Sequence, residues 1–205
     1  MKRLRIEHVT GFTYDGEVSA SYNEARMLPG STDSQFVLSS ALEIAPQTSA
    51  HSYVDYFGTR VSAFDVLSPH RELSITARSL VEVRPRPIEH TGITWERLQT
   101  EAARTVETVE QLTQTKRTKP PKEVAEIAQS IAASHDDPGR AAHDIVLAIG
   151  NAVEYVTGVT GVHSTAADAW SARKGVCQDI AHIALGALRS VGIPARYVSG
   201  LSLIH

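Results

Sequence analysis

One side chain in this sequence can act as a strong nucleophile near neutral pH, the thiol of Cys177, and no second cysteine exists to pair with it. It stands in Lys174-Gly175-Val176-Cys177-Gln178-Asp179-Ile180-Ala181-His182, where a glycine-led turn gives way to a helical pattern. At about 100° per residue, Ile180, Ala181, Ala184, Leu188 and Val191 all fall within about 60° of Cys177 around that helix. The spacing predicts a core-facing stripe with Cys177 in the first turn. Unpaired N–H groups and the positive end of the helix dipole stabilise a thiolate at that place. A base on an opposing strand can meet a sulfur that faces a packed layer. The position also suits a plainer role, because a free cysteine often packs as a small hydrophobe.

Partners for the thiol are few. Asp179 lies about 160° and His182 about 140° from Cys177 around the helix, so neither is expected to meet the sulfur, and both are expected as supporting hydrogen-bond groups. His163 precedes the cysteine in a glycine-broken loop, Gly158 to His163. His205 alternates with Tyr197, Ser199, Leu201 and Leu203 on one face of an expected strand. Trp170, on the preceding helix, is expected as core packing, with an indole donor to an oxyanion as the other option. No His, Cys or carboxylate cluster has metal-ligand spacing, so no metal or other cofactor is expected.

Residues 174–200, KGVCQDIAHIALGALRSVGIPARYVSG, closely resemble the core of bacterial transglutaminase-like proteins, a superfamily that also takes in cysteine-protease-like members. Residues 1–85 resemble the β-rich domain that precedes this core, in IEHVTGFTYDGEV, NEARMLPG, the DYFG turn at 55–58 and RSLVEV at 78–83. The resemblance implies that Cys177 is the nucleophile and that a histidine, then an acid, follow it on strands beyond the segment matching Ser199-Gly200. It implies a protein or peptide substrate, attacked at a glutamine side-chain amide or at a peptide bond. The sequence ends at His205, so the expectation is an inactive fragment without that histidine and acid. A strand at 195–203 would then be left as an open edge, inviting self-association. The alternative is a non-catalytic binding or structural module built on the same fold.

The composition excludes several other classes. Hydrophobic residues make up 42% and charged residues 21% of 205, as in an ordinary globular protein. A net charge of −3 without a basic stripe argues against nucleic acid or an anionic membrane surface as partner. The start, MKRLRIEHVT, reads as a strand and not as a signal peptide, and no apolar run approaches the ~20 residues of a membrane span. With no disulfide possible within the chain, the expected location is cytoplasmic.

The elements that must position Cys177 change character along the chain. Residues 1–85 are written in period two: a strand from Leu4 to a turn at Asp15-Gly16, then strands near 18–22, 34–45, 51–56, 61–67 and 71–85. Gly58 supplies the positive φ of a hairpin turn. His8, His51 and His70 are expected as structural hydrogen-bonders. Residues 86–120 form a junction, with a weak helical pattern over 95–112 and an exposed, basic, proline-ended linker at 113–121. From Pro121 the period becomes 3.6. Val124, Ile127, Ala128 and Ile131 share one face; Asp137-Pro138 caps a second helix bearing Ala141, Ile145, Ala148, Ile149 and Val153. Thr165 and Asp168 form a capping box, and Gly192 ends the cysteine helix. The fold class is α+β: an antiparallel β-sandwich-like domain (1–85), a junction (86–120) and a transglutaminase-like, papain-like core of helices packed on a sheet (121–205), incomplete at its C-terminus.

Overall fold

A computed structural model describes residues 1–84, 92–161 and 163–199. The chain forms two compact units, Met1–Ile88 and Glu89–His205. The class is α+β, as the two periods predict.

The first unit holds six strands: β1 Lys2–Val18, β2 Ser21–Ala25, β3 Gln35–Ala45, β4 Ala50–Val54, β5 Arg60–Val66 and β6 His70–Val83. They make two antiparallel three-stranded sheets, in the orders β1-β6-β3 and β2-β5-β4. Alternation along β6 sends Leu73 and Ile75 to the inner face, where they meet Ala25, Phe64 and Val66 of the other sheet. Tyr14, Met27, Leu42 and Ile44 close the edges of that core. The expected turn at Asp15-Gly16 is absent. β1 runs through it, and its pairing with β6 slips between Thr13–Glu72 and Val18–His70. Surplus residues in one strand of a pair are absorbed as a bulge, which a two-residue turn signal does not distinguish from a hairpin. The Asp55–Gly58 turn is as expected: Gly58 has φ 79° and its N–H donates to Asp55 O at 3.0 Å.

The second unit begins with two short helices, α1 Trp95–Ala102 and α2 Val106–Leu112, in place of one weak helix. Thr105 stops the first and caps the second, its Oγ1 accepting from Thr108 N at 3.2 Å. Then come α3 Lys122–Ala133, α4 Pro138–Ala152, β7 Glu154–Tyr155, α5 Ala166–Ala172, β8 Lys174–Gly175 and α6 Cys177–Ser190. The caps fall where the sequence puts them. Asp137 Oδ1 accepts from Gly139 N at 2.7 Å, and Thr165 and Asp168 cap each other reciprocally at the head of α5. Val124 and Ala128 of α3, Ile145 and Ile149 of α4, Ala169 and Trp170 of α5, and Ile183 and Ala187 of α6 form one core. Full burial of each large aliphatic side chain stabilises by about 1.5–3 kcal/mol. Trp170 belongs to this core, and its indole N–H donates to Glu123 Oε2 at 2.8 Å.

The segment 113–121 is not the exposed linker its composition suggests. It is a strap across α6. Gln114 Nε2 donates to Gly186 O at 2.9 Å, Arg189 donates to Thr113 O at 2.9 Å and to Thr118 Oγ1 at 3.2 Å, and Thr118 is buried. Its lysines and Arg117 point outward while its threonines and glutamine tie inward, so net polarity conceals the packing. Beyond α6, Gly192 takes φ 81° as expected. Residues 195–199 form no strand, which corrects that expectation; Ala195 is held instead by its N–H to Gln111 O at 3.1 Å and by Arg189 on its carbonyl. Residues 200–203 of that expected strand, and His205, lie outside the described residues.

Candidate active site

Cys177 opens α6, and the turn before it is held from three directions. β8 pairs in parallel with β7, so Glu154 N donates to Arg173 O and Val156 N to Gly175 O, both at 2.9 Å. Arg173 turns the chain out of α5 in the left-handed region, at φ 54°. Its guanidinium stacks over Trp170 at 3.7 Å and donates to Glu123 Oε1 at 2.8 Å. Those two donors, Trp170 first, hold the Glu123 carboxyl below the usual carboxylate range. The third hold comes from α6 itself: Asp179 Oδ2 accepts from Val176 N at 2.8 Å.

The sulfur is exposed. Ile180, Ala184, Leu188 and Val191 pack against the core as the stripe predicts, but Cys177 does not, which corrects its expected direction. The buried side chains of α6 are Asp179, His182, Ile183, Leu185, Gly186 and Ala187, while Ile180, Ala184 and Leu188 sit half-buried at the margin. Two causes act together. The strap covers a second side of α6, which moves the centre of burial away from the side with the largest apolar side chains. A first-turn side chain also leans toward the helix N-terminus, past the turns that α3, α4 and α5 cover.

Asp179 and His182 lie under the cysteine turn. Asp179 is 1% exposed, and its Oδ2 accepts from Thr160 Oγ1 at 2.6 Å as well as from Val176 N. Among the described residues its Oδ1, like His182 Nδ1, is buried without a hydrogen-bond partner. Burial, then the positive charge of Arg117, pushes the His182 imidazole below its usual pKa, against a smaller pull upward from Asp179. The Tyr197 ring packs on it, centroids 5.6 Å apart. Asp179 is therefore a supporting hydrogen-bond group as expected, here on the turn itself, whereas His182 shows no such bond at Nδ1. His163 is not brought to the thiol by a hydrogen bond; its Nδ1 accepts from Arg117 Nη2 at 3.4 Å. Among the described residues, no side chain hydrogen-bonds the Cys177 sulfur, and no group of His, Cys, Asp and Glu is placed to hold a metal ion. No described helix is long and apolar enough to cross a membrane.

Comparison with known proteins bears on this arrangement directly. Residues 4–82 match the bacterial transglutaminase-like N-terminal region, and residues 125–204 match the transglutaminase-like superfamily. An uncharacterized protein of Mycobacterium leprae is 40% identical over 200 residues, 98% of this chain and 71% of the relative. The chain belongs to the bacterial transglutaminase-like proteins. An uncharacterized protein of Mycobacterium tuberculosis is 31% identical over 207 residues, 97% of this chain and 65% of that relative. The crystal structure of a cysteine protease candidate from Cytophaga hutchinsonii has the same fold, with a TM-score of 0.72 at 18% identity, over 94% of this chain and 64% of that one. This transglutaminase-like chain thus spans about two thirds of the length of these relatives.

Sequence reasoning did not find Thr160, Gln114, Thr118 or Arg189 as parts of this environment. Only one signal pointed there. Gly186 interrupts a helix at a cost of roughly 1 kcal/mol relative to alanine, which marks a position where another segment comes close.

Proposed function

We propose that this transglutaminase-like chain carries the nucleophile of an enzyme acting on amide carbonyls. The observation that supports this most is the exposed Cys177 at the first position of α6, within the residues matched to the transglutaminase-like superfamily. The thiolate would add to the carbonyl carbon of a glutamine side chain or a peptide bond. The tetrahedral oxyanion would be met by the Cys177 backbone N–H, one of the first-turn donors that lack an intrahelical partner. Collapse would form a thioester as the amine departs with a proton. An amine or water would then take the acyl group and restore the thiol. The departing amine needs an acid, and a helix dipole cannot supply that proton. Because no described histidine hydrogen-bonds the sulfur, we assign the base outside the described residues, in keeping with the family order Cys, His, Asp. That same observation favours one other reading, a non-catalytic binding or structural module.

The test is incorporation of a dansylated alkylamine into a glutamine-bearing peptide, alongside hydrolysis of peptide amides. Activity in the natural full-length protein that disappears with Cys177→Ala supports the enzyme. Equal rates with and without the thiol would leave the binding module. Activity of residues 1–205 alone that is lost with Cys177→Ala would make His163 or His205 the base.

A further inference from the structure

We infer that Asp179 is the positioning residue of this site: it fixes the Gly175–Val176 turn, and through it the direction of the Cys177 side chain and backbone N–H. The inference rests on the reading of Cys177 as nucleophile, and its mechanical part can be measured apart from that reading.

A helix N-cap ordinarily offers a side-chain oxygen to the first-turn N–H groups. Here the N-cap is Val176, which has none. Only the reverse half of a capping box is left, Asp179 Oδ2 receiving the Val176 N–H at 2.8 Å. The backbone returns the bond, Asp179 N donating to Val176 O at 3.0 Å. Asp179 is thus the one side chain of α6 that clamps the residue directly before the cysteine. A second donor, Thr160 Oγ1 at 2.6 Å, holds the same carboxylate oxygen from the loop after β7.

The fit around this carboxylate is close. A Cβ added at Gly175 would lie 2.8 Å from Asp179 Cβ and 2.9 Å from Oδ2. Glycine is required there because the carboxylate occupies the space of a side chain. Gly175 also accepts from Val156 N, so the strand pair and the carboxylate fix the same residue from both sides.

The carboxylate is held at one oxygen only. Among the described residues its Oδ1 is buried without a partner, and so is His182 Nδ1 one turn on. A buried polar atom without a partner is destabilising. The geometry is one fixed oxygen receiving two donors on the turn that aims the nucleophile. Asparagine keeps such an oxygen without the charge. Alanine keeps neither.

The experiment uses the natural full-length protein, with the dansylated alkylamine and glutamine peptide as activity probe and amide hydrogen exchange at Val176 as the mechanical readout. Asp179→Ala is expected to lower kcat by about 100-fold while KM moves less than about threefold, the mark of a misplaced reacting group. The Val176 amide should then exchange at least about tenfold faster, as expected when its acceptor is removed and the turn opens locally. Asp179→Asn should restore kcat to within about tenfold of the parent, because it retains an acceptor oxygen. Thr160→Val, which removes one of the two donors, should give a smaller loss of about three- to tenfold, and it carries the decision with Asp179→Asn if the alanine variant fails to fold. A folded Asp179→Ala with parental kcat overturns the inference. So does an asparagine variant as impaired as alanine, which would mean that charge matters and shape does not. If the parent protein turns over no glutamine or peptide amide, the reading of Cys177 as nucleophile fails on that result alone. Val176 exchange then decides the turn: unchanged protection in Asp179→Ala overturns the clamp, and lost protection upholds it.

Discussion

Each unit buries a histidine, and the two are treated in opposite ways. His70, at the head of β6, is satisfied at both ring nitrogens: Nδ1 donates to Ser68 O at 2.7 Å and Nε2 accepts from Ser21 Oγ at 3.4 Å. The Tyr14 ring meets it edge-on at 5.6 Å. His182, on α6, has a buried Nδ1 with no partner, and Asp179 Oδ1 beside it is in the same state. Among the described residues these two are the buried side-chain atoms left without partners, and both lie in the first two turns of the cysteine helix. Buried polar groups are satisfied as a rule, so these two atoms set the cysteine turn apart from the β unit. The contrast extends to the glycines. Gly11 and Gly16 of β1 have open space where a Cβ would go, while Gly175 and Gly186 are pressed against other groups.

The largest effect should come from closing the strap. A Cβ at Gly186 would lie 2.0 Å from Thr118 O, a backbone atom that cannot swing aside, and 3.1 Å from Pro120. Gly186→Ala is expected to destabilise the second unit by about 3 kcal/mol or more, the upper range for overpacking, despite alanine's better helix propensity. A denaturant midpoint equal to the parent's would show that the strap yields and that 113–121 is a linker after all.

Next in size is the exchange of each histidine for leucine. His70→Leu removes two hydrogen bonds, to Ser68 O and Ser21 Oγ, and should cost about 1–3 kcal/mol. His182→Leu removes an atom that had no partner, so its cost at neutral pH should be within about 1 kcal/mol. The pH dependence separates them further. Burial lowers the His182 pKa, so the unfolded chain takes up the proton first, near its ordinary value of about 6.5. This histidine's contribution to stability is full above that value and is lost as pH falls through it toward the lower folded value. Urea titrations at pH 7.5 and 5.5 should show a larger drop for the parent than for His182→Leu; equal drops would sink the assignment.

The smallest effect tests the open side of the comparison. Gly11→Ala meets nothing within 4 Å on β1 and removes backbone freedom from the unfolded chain. Its expected change is a gain of about 0.5 kcal/mol, and a clear loss would mean that β1 is covered where it is now open.

What could be read from the sequence was whatever a few neighbouring residues decide. Period two and period 3.6 separate the two units. Thr165 with Asp168, Asp137 with Pro138, Gly58 and Gly192 each set a turn or cap through local bonds or a positive φ. The GVCQD segment placed the cysteine at a helix start, and so it lies. Periodicity failed on the direction of Cys177, because it counts apolar residues around one helix and knows nothing of what covers each turn.

The rest was decided by segments meeting across the chain. The bond from Gln114 to Gly186 joins residues 72 positions apart, and the one from Thr160 to Asp179 spans 19. β7 and β8, of two residues each, carry too little pattern to be recognised alone. Local sequence determined that this chain is a β unit followed by a helical unit with a thiol at a helix head. Only tertiary packing decided that the thiol faces outward over a buried carboxylate, because the strap and the Thr160 loop exist as a surface only once those distant segments are brought together.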